Sequence, residues 1–440
     1  MFANNKMREN SGRLIKIYRE RMHQGSKDKR FSCNEFILAT KDHPFYEIIE
    51  GEPVCSRATL NRLERGQIIK DDELYVFFIE KLGFKVDDFP GVMTNVERLS
   101  DELFKAVELY DLPKIKTIDD ELDQVFKDKK EYFYYIDIYD SFKVITKYYL
   151  VADYPTNEVA DRLLLTCFVL PKNMIELVLN VLFDYYYFKC INVNVSEAIY
   201  NALNQFELTS ISCLYSAFWL MYKEKWITAL TVIDNGINYF QKLNSNYQLG
   251  ILYFSKALAL HTGNKENVKY FFDKSIQCLE NSSGILAEKK LVKNYFNIGF
   301  HYYFDKEYEQ AMFYFRKFIN RTNTFTIHDL YILRCAKKLN DLESLEKLKA
   351  ITFQSIENEE INKVFYNYFI MRLGNEAEKN LENYITHDIH KIMATKYRSD
   401  NLIKYFEEEL NDLAKVTKCY KAAIKLNNFT SHKIDWNVEV

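Results

Sequence analysis

Apolar residues recur with the period of an α-helix along most of the chain. In residues 55–66 (CSRATLNRLERG), Leu60 and Leu63 lie three positions apart, so they share one face of a helix that begins at Ser56 and ends at Gly66. The opposite face is polar and carries Arg57, Thr59, Asn61 and Arg62. A helix this short is not stable alone in water, so we expect it to dock on the rest of the fold and to use its polar face.

The same periodicity predicts a small helical unit from about residue 8 to residue 95. Ser32 or Asn34 is suited to cap its second helix, and Gly66 and Gly83 follow the third and fourth helices as stop signals. A longer connection, 40–54, contains Pro44 and Pro53 and precedes the third helix. The predicted helices are 10–22, a short one through 36–38, 56–65 and 71–82.

From residue 95 onward every segment has a helical pattern with short polar breaks, which prompts a search for repeats. The clearest unit is 295–318, where Gly299 and Ala311 are small residues at the expected crossing of two antiparallel helices. Looser copies have Ala217 and Ala257 at the position of Gly299, so the crossings lie 40 and 42 residues apart. Further helix pairs are predicted over 326–351 and 362–385, and a long last helix that caps the stack over about 401–426.

Composition favours an all-helical fold. The 440 residues include 12 glycines and only 6 prolines, and no proline lies beyond residue 171. Strand-rich folds need more turns with glycine and proline, so this depletion favours helices joined by short polar loops. We therefore predict an all-α protein, with an N-terminal domain over 1–92 and an α-solenoid of helical hairpins over 93–440.

The eight cysteines form no CxxC pair and stand mostly at apolar positions of the helical pattern. We interpret them as reduced core residues of a cytoplasmic protein. The first ten residues are polar rather than a signal peptide, and a typical apolar stretch, 163–170, is too short to span a bilayer. The sequence thus predicts a cytoplasmic location and no membrane partner.

Charge is distributed unevenly. The formal net charge is −3, but residues 1–30 contain nine Lys or Arg against three Asp or Glu, a local charge of +6. The first 70 residues carry +5 and the remainder −8. A basic N-terminal part on an acidic body is expected when only the N-terminal part contacts nucleic acid.

Residues 56–66 and the helix after them resemble the helix-turn-helix domain of the Xre/lambda-repressor class. That family typically has Ser at the start of its recognition helix, Leu four residues later and a hydrophobic-Glu-Arg-Gly ending; here these are Ser56, Leu60 and 63–66. In the family an Arg of the first helix often pairs with this Glu, which implies an Arg19–Glu64 pair. The 40–54 connection is longer than the tight turn of the family.

The unit 295–318 resembles a tetratricopeptide repeat, and its matching residues are Tyr295, Ile298, Gly299, Tyr302, Ala311, Phe315 and Phe318. The spacing near 40 is longer than the common repeat of about 34 residues. An Xre-type head on such a body resembles the peptide-sensing regulators of the Rgg/PlcR/PrgX (RRNPP) group. This resemblance implies a homodimer that binds a DNA operator and, on the concave face of its repeats, a short signalling peptide.

A first set of site residues is predicted to bind DNA. Ser56, Arg57, Thr59 and Asn61 would enter the major groove, while Arg62 and the loop residues Lys27, Lys29 and Arg30 would contact phosphates. Glu64, at the far end of the helix, is expected to be structural. The open alternatives are a solvated helix face in a protein-binding domain and a helix-turn-helix that has lost DNA binding.

A second set is predicted to bind the peptide. Lys293, Asn297, Phe300 and Phe304 form one stripe of a helix, with Tyr303 beside it, and the earlier copy contributes Tyr215 and Phe218. An Asn amide can donate to and accept from a peptide backbone, and a Lys can meet a terminal carboxylate. Ordinary packing between repeats is the alternative, and it is favoured for each aromatic residue taken alone.

Catalysis and metal binding have little support in the sequence. His387 and His390 are three residues apart without an evident third ligand, and no nucleotide-binding or hydrolase motif occurs. We therefore predict no cofactor and no enzyme activity. The predicted function is a transcription regulator that binds DNA and senses a short peptide. The alternative is a helical-repeat scaffold that binds a protein partner without regulated DNA binding.

Overall fold

The computed structural model describes residues 5–26, 28–39, 52–87, 89, 91–190, 192–205, 211–260, 265–319, 324–353, 359–395 and 400–417. Within these ranges the fold is all-α, as predicted, and the β contacts are isolated bridges. The α-helices are, in chain order, α1 (Asn5–Ser26), α2 (Cys33–Phe36), α3 (Arg57–Glu64), α4 (Asp72–Lys81), α5 (Val92–Leu109), α6 (Leu112–Val125), α7 (Tyr135–Val151), α8 (Asn157–Thr166), α9 (Lys172–Asp184), α10 (Val193–Leu203), α11 (Ser212–Tyr222), α12 (Trp226–Leu243), α13 (Asn246–Leu260), α14 (Lys265–Glu280), α15 (Ile285–Phe304), α16 (Tyr308–Ile319), α17 (His328–Leu339), α18 (Leu342–Lys349), α19 (Glu359–Leu373), α20 (Glu378–Tyr384), α21 (His390–Thr395) and α22 (Asp400–Thr417). Short 3-10 helices lie at Lys29–Phe31 and Cys167–Val169, and π-helical turns at Tyr185–Lys189 and Ile385–Ile389.

The first helices begin and end where the sequence supplies caps. Ser32, Ser56 and Asp71 each accept a hydrogen bond from a backbone N–H in the turn that follows. Gly66 (φ +78°) and Gly83 (φ +83°) follow α3 and α4 in the left-handed region. The predicted positions of these two helices are therefore confirmed.

The connection between α2 and α3 is closed at its base by an antiparallel bridge between Leu38 and Pro53. Backbone hydrogen bonds of 2.7 and 2.8 Å join 37–39 to 52–54 on either side of the bridge. The Nζ of Lys81 donates to the Leu38 carbonyl at 2.7 Å, and burial lowers the pKa of this lysine to about 8. Because the chain leaves the helix to make this pairing, α2 is a single short turn.

The chain forms two compact units. The first comprises Met1–Leu220, Ile227–Leu252 and Gly284–Leu286, and the second comprises Met221–Trp226, Tyr253–Ser283 and Ala287–Val440. The predicted domain boundary near residue 92 lies inside the first unit and remains a prediction.

In the first unit, α1 contacts α3, α4 and α8, and α5, α6, α7 and α9 pack against one another. Their apolar stripes are buried, for example Leu99 and Leu103 of α5. A close crossing that the sequence did not reveal lies at Gly236 of α12, where a Cβ would come within 2.7 Å of the Cys213 sulfur. A small residue thus sets the spacing between α11 and α12.

In the second unit, α15 and α16 cross at Gly299, as predicted. A Cβ on Gly299 would lie 2.6 Å from the Phe315 ring and 3.2 Å from the Ala311 carbonyl oxygen, so the two backbones approach closely. The predicted helix pairs downstream are present as α17–α18 and α19–α20. The last helix is described to Thr417, and its predicted continuation to 426 lies outside the described residues.

The cysteines that the structure describes are free thiols. Cys213 and Cys335 are buried, but Cys190 is exposed and four others are half-buried, so the prediction of core positions is correct for two of them. No helix in the described ranges is both long and apolar enough to cross a membrane.

Candidate nucleic-acid interface

Helix α3 is fixed to α1 by apolar contacts and by a buried ion pair. Leu60 and Leu63 are fully buried. Arg19 donates to the Glu64 carboxylate through Nε–Oε1 at 2.5 Å and Nη2–Oε2 at 2.9 Å, which confirms the predicted pair. The two side chains are only 6% and 5% exposed. Rotation of α3 about its axis would break this pair, so the outward face of α3 is well defined.

A glycine that the sequence analysis did not single out sets the distance between these helices. A Cβ on Gly12 of α1 would lie 2.1 Å from the carbonyl oxygen of Leu63. Any side chain at this position would force α3 away from α1. Gly12 therefore allows the close approach that places Glu64 within reach of Arg19.

The polar face of α3 points outward with most of the predicted DNA-binding side chains. Arg57 and Asn61 are exposed and lie one turn apart. Arg62 is also exposed, and its Nε donates to the Gln67 side chain at 3.0 Å. These three side chains therefore share one accessible surface on a helix held in place from behind.

Ser56 and Thr59 form the N-terminal cap of α3. The Ser56 hydroxyl accepts from the Thr59 N–H at 3.1 Å and lies 3.0 Å from the Thr59 hydroxyl. The two hydroxyls thus stabilise the first turn of α3. Their place at the positive end of the helix dipole suits a phosphate better than a base edge.

The predicted basic loop is described in part, since Lys27 lies outside the described residues. Lys29 is exposed, whereas Arg30 makes two hydrogen bonds, of 2.8 and 2.6 Å, to Asp28. Arg30 holds the pKa of the Asp28 carboxyl below its usual range. Because exposed pairs of this kind are weakly held, a phosphate could compete with Asp28 for Arg30.

Ion pairing redistributes the positive charge of the N-terminal part. Arg8 pairs with Asp72 at 2.8 Å and Arg13 with Glu9 at 2.7 Å, so these two arginines are locally neutralised. The exposed residues Lys16, Arg65 and Lys70 have no ion-pair partner among the described residues. Arg65 and Lys70 follow α3 directly and extend its basic surface, an extension that charge counting over 1–30 did not reveal.

The predicted peptide stripe lies on α15 in the second unit. Lys293 is exposed, and Asn297 is half-buried with its Nδ2 donating to the Lys293 carbonyl at 3.0 Å. Phe300 and Phe304 are half-buried, with ring centroids 4.6 Å apart. The stripe therefore combines one charge, one amide and two aromatic rings on a single partly open face.

Three other predicted peptide-binding residues are buried. Tyr303 is 2% exposed, while Tyr215 and Phe218 in the first unit are each 6% exposed. The Tyr215 hydroxyl lies 3.2 Å from that of Tyr148, and Phe218 packs edge-on against Phe188. None of the three presents a free surface, because each belongs to the packing of its own unit.

A buried charge network in the second unit had no signal in the local sequence. Arg334 of α17 pairs with Asp412 at 2.8 Å and with Glu409 at 3.2 Å, both in α22. Tyr368 of α19 donates to Glu409 at 2.8 Å. Arg334, Tyr368 and the two α22 carboxylates come from helices more than 30 positions apart, so periodicity could not pair them, and they fix α22 against the helices before it.

The two histidines named above do not form a metal site with other residues that the structure describes. The Nδ1 of His387 lies 2.9 Å from the carbonyl oxygen of Asn383 on its own helix. No group of three or more His, Cys, Asp or Glu suited to a metal ion occurs among the described residues. The exposed basic surface of α3 is thus the strongest candidate site.

No protein-family model matches the chain, and a comparison with curated proteins found no match.

Proposed function

We propose that this protein is a cytoplasmic transcription regulator whose N-terminal part is an Xre-type helix-turn-helix that binds double-stranded DNA through α3. The observation that carries the proposal is the short helix α3, locked on its inner side by Arg19–Glu64 and exposing Arg57 and Asn61 on its outer side. The major groove admits an α-helix, and Arg and Asn are the side chains that bind guanine and adenine edges in a bidentate manner.

The remaining basic side chains suit phosphate contacts. Arg62, Arg65 and Lys70 lie along or just after α3, and Lys29 lies on the 3-10 helix whose Phe31 carbonyl accepts from Arg19 at 3.2 Å. Phosphate contacts fix the register of a protein on DNA without reading its sequence. A homodimer would present two copies of α3 to successive major grooves, about 34 Å apart.

DNA binding itself is tested by selection. The purified chain is incubated with a library of random-sequence duplexes, and the bound fraction is sequenced over several rounds. We expect one sequence to be enriched, with an affinity that falls linearly on a log–log plot against salt concentration. The absence of both enrichment and salt-dependent binding would leave the scaffold alternative.

Arg57→Ala is expected to weaken binding to the enriched duplex by about 5- to 150-fold, because a bidentate arginine–base contact discriminates by about 1–3 kcal/mol. Binding to a scrambled duplex of the same length is expected to change far less. Both dissociation constants are measured by fluorescence anisotropy at one salt concentration.

The control for this prediction is Arg98→Ala. Arg98 is an exposed arginine of α5 that pairs with Glu102, so its loss removes the same charge from outside the proposed DNA surface. We expect little change on either duplex. Equal losses on both duplexes with Arg57→Ala would instead assign Arg57 to the phosphate backbone.

The second half of the proposal is that the second unit is a tetratricopeptide-like array that senses a short peptide along α15. Its support is the partly open stripe of Lys293, Asn297, Phe300 and Phe304. The Asn297 amide oxygen has no partner among the described residues, which leaves it to accept a peptide N–H. Tyr303 lies beside this stripe but is buried, and Tyr215 and Phe218 belong to the packing of the first unit.

Asn297→Ala is expected to lower the affinity for a peptide enriched from a random short-peptide library by about three- to tenfold, the worth of one hydrogen bond. The melting temperature should stay nearly unchanged, because the side chain is only half-buried. Asn383→Ala, an exposed asparagine of α20, is the matched control. A large drop in melting temperature with unchanged peptide affinity would show that Asn297 serves packing.

A further inference from the structure

Helix α1 has a second set of contacts besides those with α3. The Tyr18 ring packs against the rings of Phe84 and Phe133, with centroid distances of 4.7 and 6.0 Å. Its hydroxyl donates to the carboxylate of Asp137 in α7 and lies 3.0 Å from each carboxylate oxygen. Tyr18 is 7% exposed and Asp137 is 1% exposed, so this hydrogen bond is shielded from water.

Asp137 is in turn held by α8. The Arg162 guanidinium lies 3.5 Å from the Asp137 carboxylate and also pairs with Asp140 of α7. Burial raises the pKa of Asp137 to about 6, while Arg162 and the hydrogen bond from Tyr18 oppose that rise. Tyr18 therefore reaches a carboxylate whose position is set jointly by α7 and α8.

Other contacts join α1 to the same region. The Nδ2 of Asn10 donates to the Tyr134 hydroxyl at 3.2 Å, just before α7 begins. The Arg13 guanidinium lies 5.8 Å from the centre of the Phe168 ring, in the 3-10 helix after α8. The contacts made by Asn10, Arg13 and Tyr18 span two turns of α1, so α7 and α8 constrain both its tilt and its rotation.

We propose that Tyr18, Asp137 and Arg162 are positioning residues for the DNA-binding surface, through which α7 and α8 set the pose of α1 and hence of α3. The inference rests on the proposed DNA binding and names residues that hold that site in position. The link from α1 to α3 is rigid, because it consists of the Gly12 contact and the buried Arg19–Glu64 pair. The link from α1 to α7 includes the buried hydrogen bond between the Tyr18 hydroxyl and the Asp137 carboxylate, which a single substitution can remove.

Tyr18→Phe tests this assignment, because it keeps the ring and deletes only the donor. We expect the affinity for the duplex enriched by the wild-type chain to fall by about fivefold or more, within the range of coupling between linked sites. Affinity for a scrambled duplex is expected to stay within about twofold, because nonspecific phosphate contacts tolerate a changed pose. Asp137→Asn is the second variant. It is also expected to lower the affinity for the enriched duplex and to leave the affinity for the scrambled duplex nearly unchanged.

Tyr139→Phe is the matched control. Tyr139 also lies on α7, and its hydroxyl donates to Asp123 at 2.8 Å without contacting α1. The Tyr139→Phe variant should leave the affinities for the enriched and the scrambled duplex unchanged. The positioning role is overturned if Tyr18→Phe leaves specific affinity unchanged or raises it, or if Tyr139→Phe causes the same loss. A wild-type chain that binds no duplex would instead refute the proposed function, so the two failures are distinguishable.

Discussion

Glu64→Ala is expected to lower the free energy of local opening at the α1–α3 contact by about 3–5 kcal/mol, the usual effect of removing one partner of a buried ion pair. The substitution would leave the Arg19 guanidinium in a site that is almost closed to water. Its remaining contacts include the Phe31 carbonyl at 3.2 Å, Glu20 at 3.7 Å and the Phe36 ring at 6.0 Å, and none of them replaces a bidentate carboxylate. Hydrogen exchange of the α3 amides, followed by mass spectrometry, measures this opening directly.

Two variants make this prediction specific to the buried pair. Glu20→Ala removes a carboxylate that also lies near Arg19 but is 47% exposed, so we expect a change below about 0.5 kcal/mol. Replacing Arg19 by Met and Glu64 by Leu together is expected to restore much of the loss, because no charge then remains buried. A Glu64→Ala variant with wild-type exchange in α3 would contradict the view that this pair fixes the helix.

The same variants connect stability to function. If α3 reads DNA, Glu64→Ala should lose specific binding because the helix no longer keeps one orientation, whereas Glu20→Ala should bind almost normally. In the Arg19–Glu64 double replacement, restored exchange protection together with restored DNA affinity would show that the pair acts only by holding α3. Neither residue is expected to contact DNA, since both are buried.

Local chemistry allowed the N-terminal helices to be predicted from the sequence. Ser56, Asp71, Gly66 and Gly83 are cap and stop residues, and α3 and α4 begin and end beside them. The crossing at Gly299 was also predictable, because a small residue recurs where two helices must approach. In these cases the decisive interaction lies within a few residues or within one helical hairpin.

Features that depend on distant parts of the chain were not predictable in this way. Helix α2 is shorter than expected because 37–39 pairs with 52–54, and α1 spans Asn5–Ser26, longer at both ends than the predicted 10–22. Tyr18 and Asp137 are separated by 119 positions, so no periodicity could bring them together. Tyr303 looked like a ligand residue on a helical projection, but neighbouring rings from other helices bury it.

Gly12→Ala is expected to destabilise the α1–α3 contact by about 1–3 kcal/mol, the usual effect of overpacking a close contact. The new methyl group would start 2.1 Å from the Leu63 carbonyl oxygen, and a backbone atom cannot move aside as a flexible side chain can. The higher helix propensity of alanine, worth about 1 kcal/mol, would offset only part of this loss. Exchange of the α3 amides and affinity for the enriched duplex are the two measurements.

Gly25→Ala separates the steric effect from the effect of helix propensity. Gly25 lies in the same helix, and a Cβ there would meet nothing within 4 Å. This control should therefore be neutral or stabilise α1 by up to about 1 kcal/mol, with DNA affinity unchanged. If Gly12→Ala behaved like Gly25→Ala, the distance between α1 and α3 would not depend on Gly12, and Arg19 and Glu64 would have to hold the two helices together without it.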